Sequence, residues 1–208
     1  ELAIHEMRQA LYSDCDGHLA MAQQLLESEI RSDPARQEQK SGLVQVLVMR
    51  AGIAAVLGRQ DLAFDQVQRA RSIELTDRLQ QAQAQLLIAE SLSSALWLTG
   101  DLDGAIAAEL ESLDVFKSHQ DLLESGALDK DLVGDTLTSL ARLYLEKHEL
   151  GLARQALKAA RSGLGDTPDV LFNLSELERQ SGNEALALAH YQASQGMRCR
   201  DQGDVRHQ

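Results

Sequence analysis

Cysteine, proline and aromatic residues are all scarce in this chain of 208 residues, and each scarcity excludes something. The 2 cysteines, Cys15 and Cys199, lie far apart with no CxxC around either and no second Cys/His pair to join Cys15 and His18, which argues against a disulfide scaffold and a structural zinc site. A reducing, cytoplasmic setting is expected. With 2 prolines and an aromatic content of 3%, beside abundant Ala, Leu and Gln, the composition disfavours a β fold and suits helices. Basic residues are also few. The 20 Lys and Arg against 32 Asp and Glu leave a formal net charge of −12, so nucleic acid and anionic lipid are not expected partners. Long apolar runs are missing as well. The densest stretches, Leu43 to Met49 and Ile53 to Leu57, are interrupted by Gln45, Arg50 and Gly58. Neither approaches the roughly 18–20 apolar residues of a membrane span.

What is present is helical periodicity with regular punctuation. The chain opens at Glu1 with an apolar stripe at helical spacing, Leu2, Ala3, Ile4, Met7, Ala10 and Leu11. Because no initiator methionine precedes it, the chain is expected to be a part of a larger protein. Asp33-Pro34 and Thr167-Pro168 each place a capping side chain before a proline, and proline is tolerated in the first helical turn, where its missing N–H would have had no partner. Turn signals at Asp16-Gly17, Gly58-Arg59, Gly100-Asp101 and Gly182-Asn183 each separate two apolar-periodic segments. The pattern predicts ten helices in five antiparallel hairpins within a single domain 1–208. The hairpins cover about 1–32, 34–73, 77–117, 128–162 and 168–200, with 201–208 as a helical extension or tail. The stretch 118–128 is predicted as a turn of helix or a loop.

An internal repeat runs beneath this punctuation. Small residues recur where the second helix of each pair would meet the first, at Ala63, Ala105, Ala153 and Ala187, with separations of 42, 48 and 34 residues. Leu92, Leu140 and Leu174 are each followed by a small residue, Ser93, Ala141 and Ser175. Leu140-Ala141, Tyr144, Ala153 and Ala160 in one repeat, with Leu174-Ser175, Gly182-Asn183, Ala187 and Tyr191 in the next, resemble the tetratricopeptide-repeat (TPR) family over nearly the whole chain. Arg50 departs from the family pattern, which has an apolar residue at its place. The resemblance implies an all-α, TPR-like right-handed superhelix. The spacing of 40-odd residues is similar to long-repeat forms in bacterial signalling proteins, in maltose-regulator-like activators and ahead of GGDEF diguanylate cyclase domains.

Catalytic and metal motifs are not found. Asp14-Cys15-Asp16-Gly17-His18 offers four possible ligands within five residues, but Asp and Gly there read as turn and capping residues. Asp129-Lys130-Asp131 with Gly134 begins like a calcium loop, yet the next ligand place holds Val133 and the closing one Leu140. HExxH, a Gly-rich phosphate loop and GxSxG are all missing. No enzymatic role and no cofactor are expected.

Charge is distributed unevenly. Between Ser72 and Glu149 there are 15 acidic and 5 basic residues, so nearly all the negative charge falls on the third and fourth hairpins. This is either a solvated outer face or a rim that selects a basic or neutral partner. The family resemblance implies that the first helix of each pair lines a concave surface. Its inward side here would carry Gln45 and Val48, then Glu90, Ser94 and Trp97, then Asp135, Thr138 and Arg142, and finally Phe172, Glu176 and Arg179. Trp97 would be either an apolar anchor or a packing contact with the next hairpin, and Arg142 or Arg179 a bidentate partner for a carboxylate, the alternative for Arg142 being a same-helix ion pair with Glu146. The expected function is a non-catalytic sensor or scaffold binding a protein segment or a small regulatory ligand. The alternative is a structural homodimerisation module that pairs exposed helix faces at the array ends.

Overall fold

The same backbone device ends the first helix of four successive helical pairs. At Gly58, Gly100, His148 and Gly182 the chain turns into the left-handed region, with φ of 72°, 82°, 58° and 81°. The amide of each donates to the carbonyl three residues back, at Ala55, Trp97, Leu145 and Arg179. The next amide, at Arg59, Asp101, Glu149 and Asn183, reaches back five residues to Ala54, Leu96, Tyr144 and Glu178. This paired arrangement closes carbonyls that a helix end otherwise leaves open, and it demands positive φ, which glycine adopts at least cost. Four residues beyond each of the latter amides stand Ala63, Ala105, Ala153 and Ala187, all buried. The repeat seen in sequence is therefore a repeat of one turn geometry followed by one close helix contact.

The structure, a computed structural model, describes the backbone of residues 2–204 and the side chains of residues 10–199. It is all-α. Among the described residues there are ten helices: α1 Leu2–Ser32, α2 Gln37–Val56, α3 Gln60–Arg71, α4 Arg78–Thr99, α5 Leu102–Ser118, α6 Gln120–Glu124, α7 Asp131–Glu146, α8 Leu150–Leu164, α9 Pro168–Gln180 and α10 Glu184–Asp204. No helix among them is long and apolar enough to cross a membrane. The chain divides into two compact units, 1–122 and 123–208.

In the first unit α2 pairs with α3, α4 with α5, and α4 also packs along α2. Leu43, Val44, Leu47 and Ala51 of α2 meet Val67 and Ala70 of α3 and Ala84 and Ile88 of α4. Asp77 and Asp101 start α4 and α5, each accepting a hydrogen bond from the amide three residues on, Gln80 and Gly104. The second unit joins two hairpins, α7 with α8 and α9 with α10, around Leu140, Leu143, Leu157, Val170 and Leu177. Thr167 caps α9 through the amide of Val170, with Pro168 in the first turn as the sequence predicts.

Two expectations need correction. The first hairpin, predicted over 1–32 with a turn at Asp16-Gly17, is one continuous helix, α1, that packs against α2. Asp16 does not cap a helix. Its carboxylate accepts from Arg50 Nε at 2.7 Å and lies 3.9 Å from Arg59, so a tertiary ion pair replaces the local turn. Among the described residues the successive hairpins are α2–α3, α4–α5, α7–α8 and α9–α10, with α1 packed on α2. α2 begins at Gln37 instead of 34, because Asp33 accepts from the Ala35 amide and the Arg36 amide in turn bonds the Asp33 carbonyl, forming a tight turn around Pro34. The stretch 118–128, expected as a turn of helix or a loop, contains the short helix α6, the first of those two readings. The side chains of the opening stripe through Met7, and residues 205–208 of the predicted extension, lie outside the described residues.

Candidate binding surfaces

The residues expected on a concave face divide between the two units. In the first, Glu90 and Ser94 are exposed on α4 and Trp97 is half-buried. Gln45 is exposed on α2, but Val48 packs against the α2–α4 core and its carbonyl faces the Ser91 hydroxyl.

In the second unit the expected set is largely engaged within its own helices. Thr138 is buried and its hydroxyl donates back to the Gly134 carbonyl at 2.8 Å, so it presents no hydroxyl proton to a ligand. Arg179 grips Glu176 with both ends of its guanidinium, and Gln180 Nε2 adds a hydrogen bond of 2.7 Å. That grip by Arg179 holds the Glu176 carboxyl below its ordinary pKa, against the opposing effect of burial. The expected bidentate arginine for a partner's carboxylate is thus already paired three residues away. Phe172 is exposed, with the Arg198 guanidinium 5.9 Å from its ring centre and tied also to Asp169. Asp135 and Arg142 are exposed. Burial, and then the charges of Asp131, Asp129 and Asp169, raise the Asp135 carboxyl above its ordinary pKa. Among the described residues no group of three or more His, Cys, Asp or Glu side chains is arranged to hold a metal ion.

A concavity of about 530 Å³ lies in the first unit, between the end of α3, the 72–77 connection and α4. Ala70, Ile73, Leu75, Ala84 and Ile88 give it an apolar floor. Its rim is polar. Gln81 and Gln85 project from α4, Thr76 and Glu74 come from the connection, and Arg71 from the end of α3 pairs with Glu111 of α5 at 2.6 Å across one side. The Thr76 amide is held by Gln37 Oε1 at 2.9 Å, which fixes the connection against the start of α2. One cation and two carboxylates leave this rim net negative.

At 100° per residue, Gln81, Gln85 and Ile88 lie on the side of α4 opposite to Glu90, Ser94 and Trp97. The stripe chosen from sequence is therefore the far face of the helix that walls the concavity. A usable signal was present: two glutamines four residues apart on α4, following a connection in which Ile73 and Leu75 alternate with Glu74 and Thr76.

No family model and no curated protein matches the chain. Among solved structures the chain is similar to BtubC (BKLC) from P. vanneervenii. That alignment covers 92% of this chain and 92% of that one, with 15% identity and a TM-score of 0.47.

Proposed function

We propose that the chain is a non-catalytic, tetratricopeptide-type binding domain that seats a neutral or basic protein segment in the α3–α4 concavity. Its context would be a cytoplasmic bacterial signalling protein, as the regulatory part ahead of a diguanylate cyclase or within a transcription regulator. The observation that carries this reading is the concavity itself. An apolar floor takes up apolar side chains, two glutamine amides offer both donors and acceptors to an extended backbone, and a net-negative rim favours a cation over an anion. Its volume suits two or three side chains of a bound segment, or one small regulatory ligand.

The position of the concavity suggests how occupancy becomes a signal. α3 belongs to one hairpin and α4 to the next, and the Arg71–Glu111 pair ties the two together beside the opening. A cationic side chain entering there competes with Arg71 for Glu111. The angle between the hairpins then depends on which cation Glu111 holds, and a ligand that prefers one angle shifts the population toward it.

Selection from a random peptide library tests this. The expected binders combine Lys or Arg with apolar residues and lose affinity at least tenfold for Gln85→Trp, which fills the concavity from an exposed position. Binders that are acidic, or that bind Gln85→Trp as well as the native protein, refute the assignment.

A further inference from the structure

The face of α1 turned away from the rest of its unit has a pattern of its own. The side of α1 toward α2 and α3 carries Leu26 and Ile30, which pack on the core, and Asp16, Gln23 and Glu27, which join Arg50 and Arg69 in a polar network. On the opposite side Leu11, Met21 and Leu25 are 61%, 69% and 61% exposed, and Asp14 and His18 between them are exposed too. Their spacing alternates three and four: Leu11, Asp14, His18, Met21, Leu25. In sequence it continues back through Met7 and Ile4. A 3.5-residue repeat is the requirement for pairing with one other helix, and none of the described residues of this unit supplies that helix.

The order of residues on this face says which helix fits. In an antiparallel pair each first heptad position meets a fourth position of its mate. With a twofold axis level with Asp16, Leu11 falls opposite Met21 of a second copy, and Met21 opposite its Leu11. The same axis sets Asp14 opposite His18 of the second copy and His18 opposite its Asp14. The stripe is thus complementary to itself only when reversed. A parallel pair would set Asp14 against Asp14 instead. Gly17 supports the crossing. It sits inside α1, where glycine weakens a helix, and an added Cβ there would meet nothing within 4 Å, so the fold of one copy gives no reason for it. Beside the axis, Ala10 and Gly17 on one flank and Cys15 on the other are all small and exposed, which lets two helices approach closely.

We propose that α1 is a homodimerisation helix, with two copies of the chain pairing antiparallel through the Leu11–Asp14–His18–Met21–Leu25 face. A twofold interface of this kind is isologous, the commonest way in which two identical chains close on each other. The proposal is independent of the α3–α4 concavity, and dimerisation leaves that opening on a different part of the unit.

Light scattering on the 208-residue chain at roughly 50 μM should give twice the monomer mass of 22.8 kDa. Leu11→Glu and Met21→Glu, both at exposed positions, should each return the mass to that of the monomer with unchanged helical circular dichroism. Asp14→Lys should weaken the dimer at least tenfold, and Asp14→Lys with His18→Glu should restore it, since the reversed charges again face each other only in an antiparallel pair. A second measurement needs no change on the interface. In Cys199→Ser, a short bis-maleimide should link Cys15 of the two copies, which lie on one flank near the axis. A monomeric native chain, a dimer that survives both glutamate substitutions, failure of the double charge reversal to rescue, or no Cys15 cross-link would each overturn the proposal.

Discussion

Replacing Arg50 probes the least expected contact in the molecule. Arg50 Nε donates to Asp16 Oδ1 at 2.7 Å across 34 residues of sequence, and its Nη1 donates to Gln23. Gln23 Nε2 donates in turn to Glu27 Oε1 at 2.7 Å, and the same oxygen accepts from Arg69. The two charged side chains of the central pair are 14% and 16% exposed. An exposed pair contributes roughly 0–1 kcal/mol and a broken buried pair costs roughly 3–5 kcal/mol, so Arg50→Ala at this intermediate burial should destabilise the first unit by about 2–3 kcal/mol. Most of that cost falls on Asp16, left largely out of water with Arg59 at 3.9 Å. In a double-mutant cycle with Asp16→Ala the two losses should fall short of additivity by about 1–2 kcal/mol. Urea unfolding followed by circular dichroism gives these energies, and hydrogen exchange should show α1 amides losing protection in Arg50→Ala while α7–α10 keep theirs. Arg50→Leu separates two explanations. The repeat pattern favours an apolar residue at this place, whereas in the structure a leucine there would strand the same carboxylate. A stabilised Arg50→Leu, or an Arg50→Ala within about 0.5 kcal/mol of native with unchanged α1 exchange, would refute the pairing that holds α1 down.

Two further tests address the second unit. Glu178 is buried, accepts from Asn183 Nδ2 and Arg154 Nη1, and is held below the usual carboxylate range by the Asn183 hydrogen bond first and by Arg154 after it, burial opposing both. A depressed folded value means that its stabilisation is fully present above the unfolded pKa and is lost as pH falls through the folded one. Glu178→Gln should therefore cost about 1–2 kcal/mol at pH 7 and converge on the native protein in denaturation curves taken at successively lower pH. At Gly134 an added Cβ would overlap the Leu164 side chain, so Gly134→Ala should cost about 1–2 kcal/mol in thermal melts despite alanine's better helix propensity, and Leu164→Ala in the same chain should relieve part of it.

Most of the helical architecture was legible because its signals are local. Gly100-Asp101 ends α4 and starts α5 within two residues: the glycine supplies positive φ, and the aspartate caps the next helix through Gly104. Neither event needs a distant partner. The buried alanines at 63, 105 and 153 are legible for a related reason, since each follows its turn by a fixed offset and must be small where two backbones meet. Asp16-Gly17 carries the same local letters and means something else. Aspartate before glycine is a turn signal only when its carboxylate has no better use, and here Arg50 provides one. The two departures from pattern, an acidic turn residue without a turn and an arginine in an apolar place, are one contact.

The candidate site was less legible, because helical spacing assigns a residue to a face without saying what its neighbours do with it. Glu176 and Arg179 satisfy any rule for inward-facing polar residues, yet a separation of three places them within reach of each other, and both oxygens of the carboxylate are engaged. Thr138 fails similarly, since a threonine hydroxyl in a helix finds the carbonyl four residues back before it finds a ligand. On α4 the difficulty is of another kind. Both faces carry polar residues at helical spacing, Gln81 and Gln85 on one and Glu90 and Ser94 on the other. What distinguishes them is α3, which ends at Arg71 beside the glutamines, so that Ala70, Ile73 and Leu75 line a recess between the two helices. A recess of this sort comes from a helix that stops short of its neighbour, so comparing the lengths of paired helices locates it better than the residue types along either one.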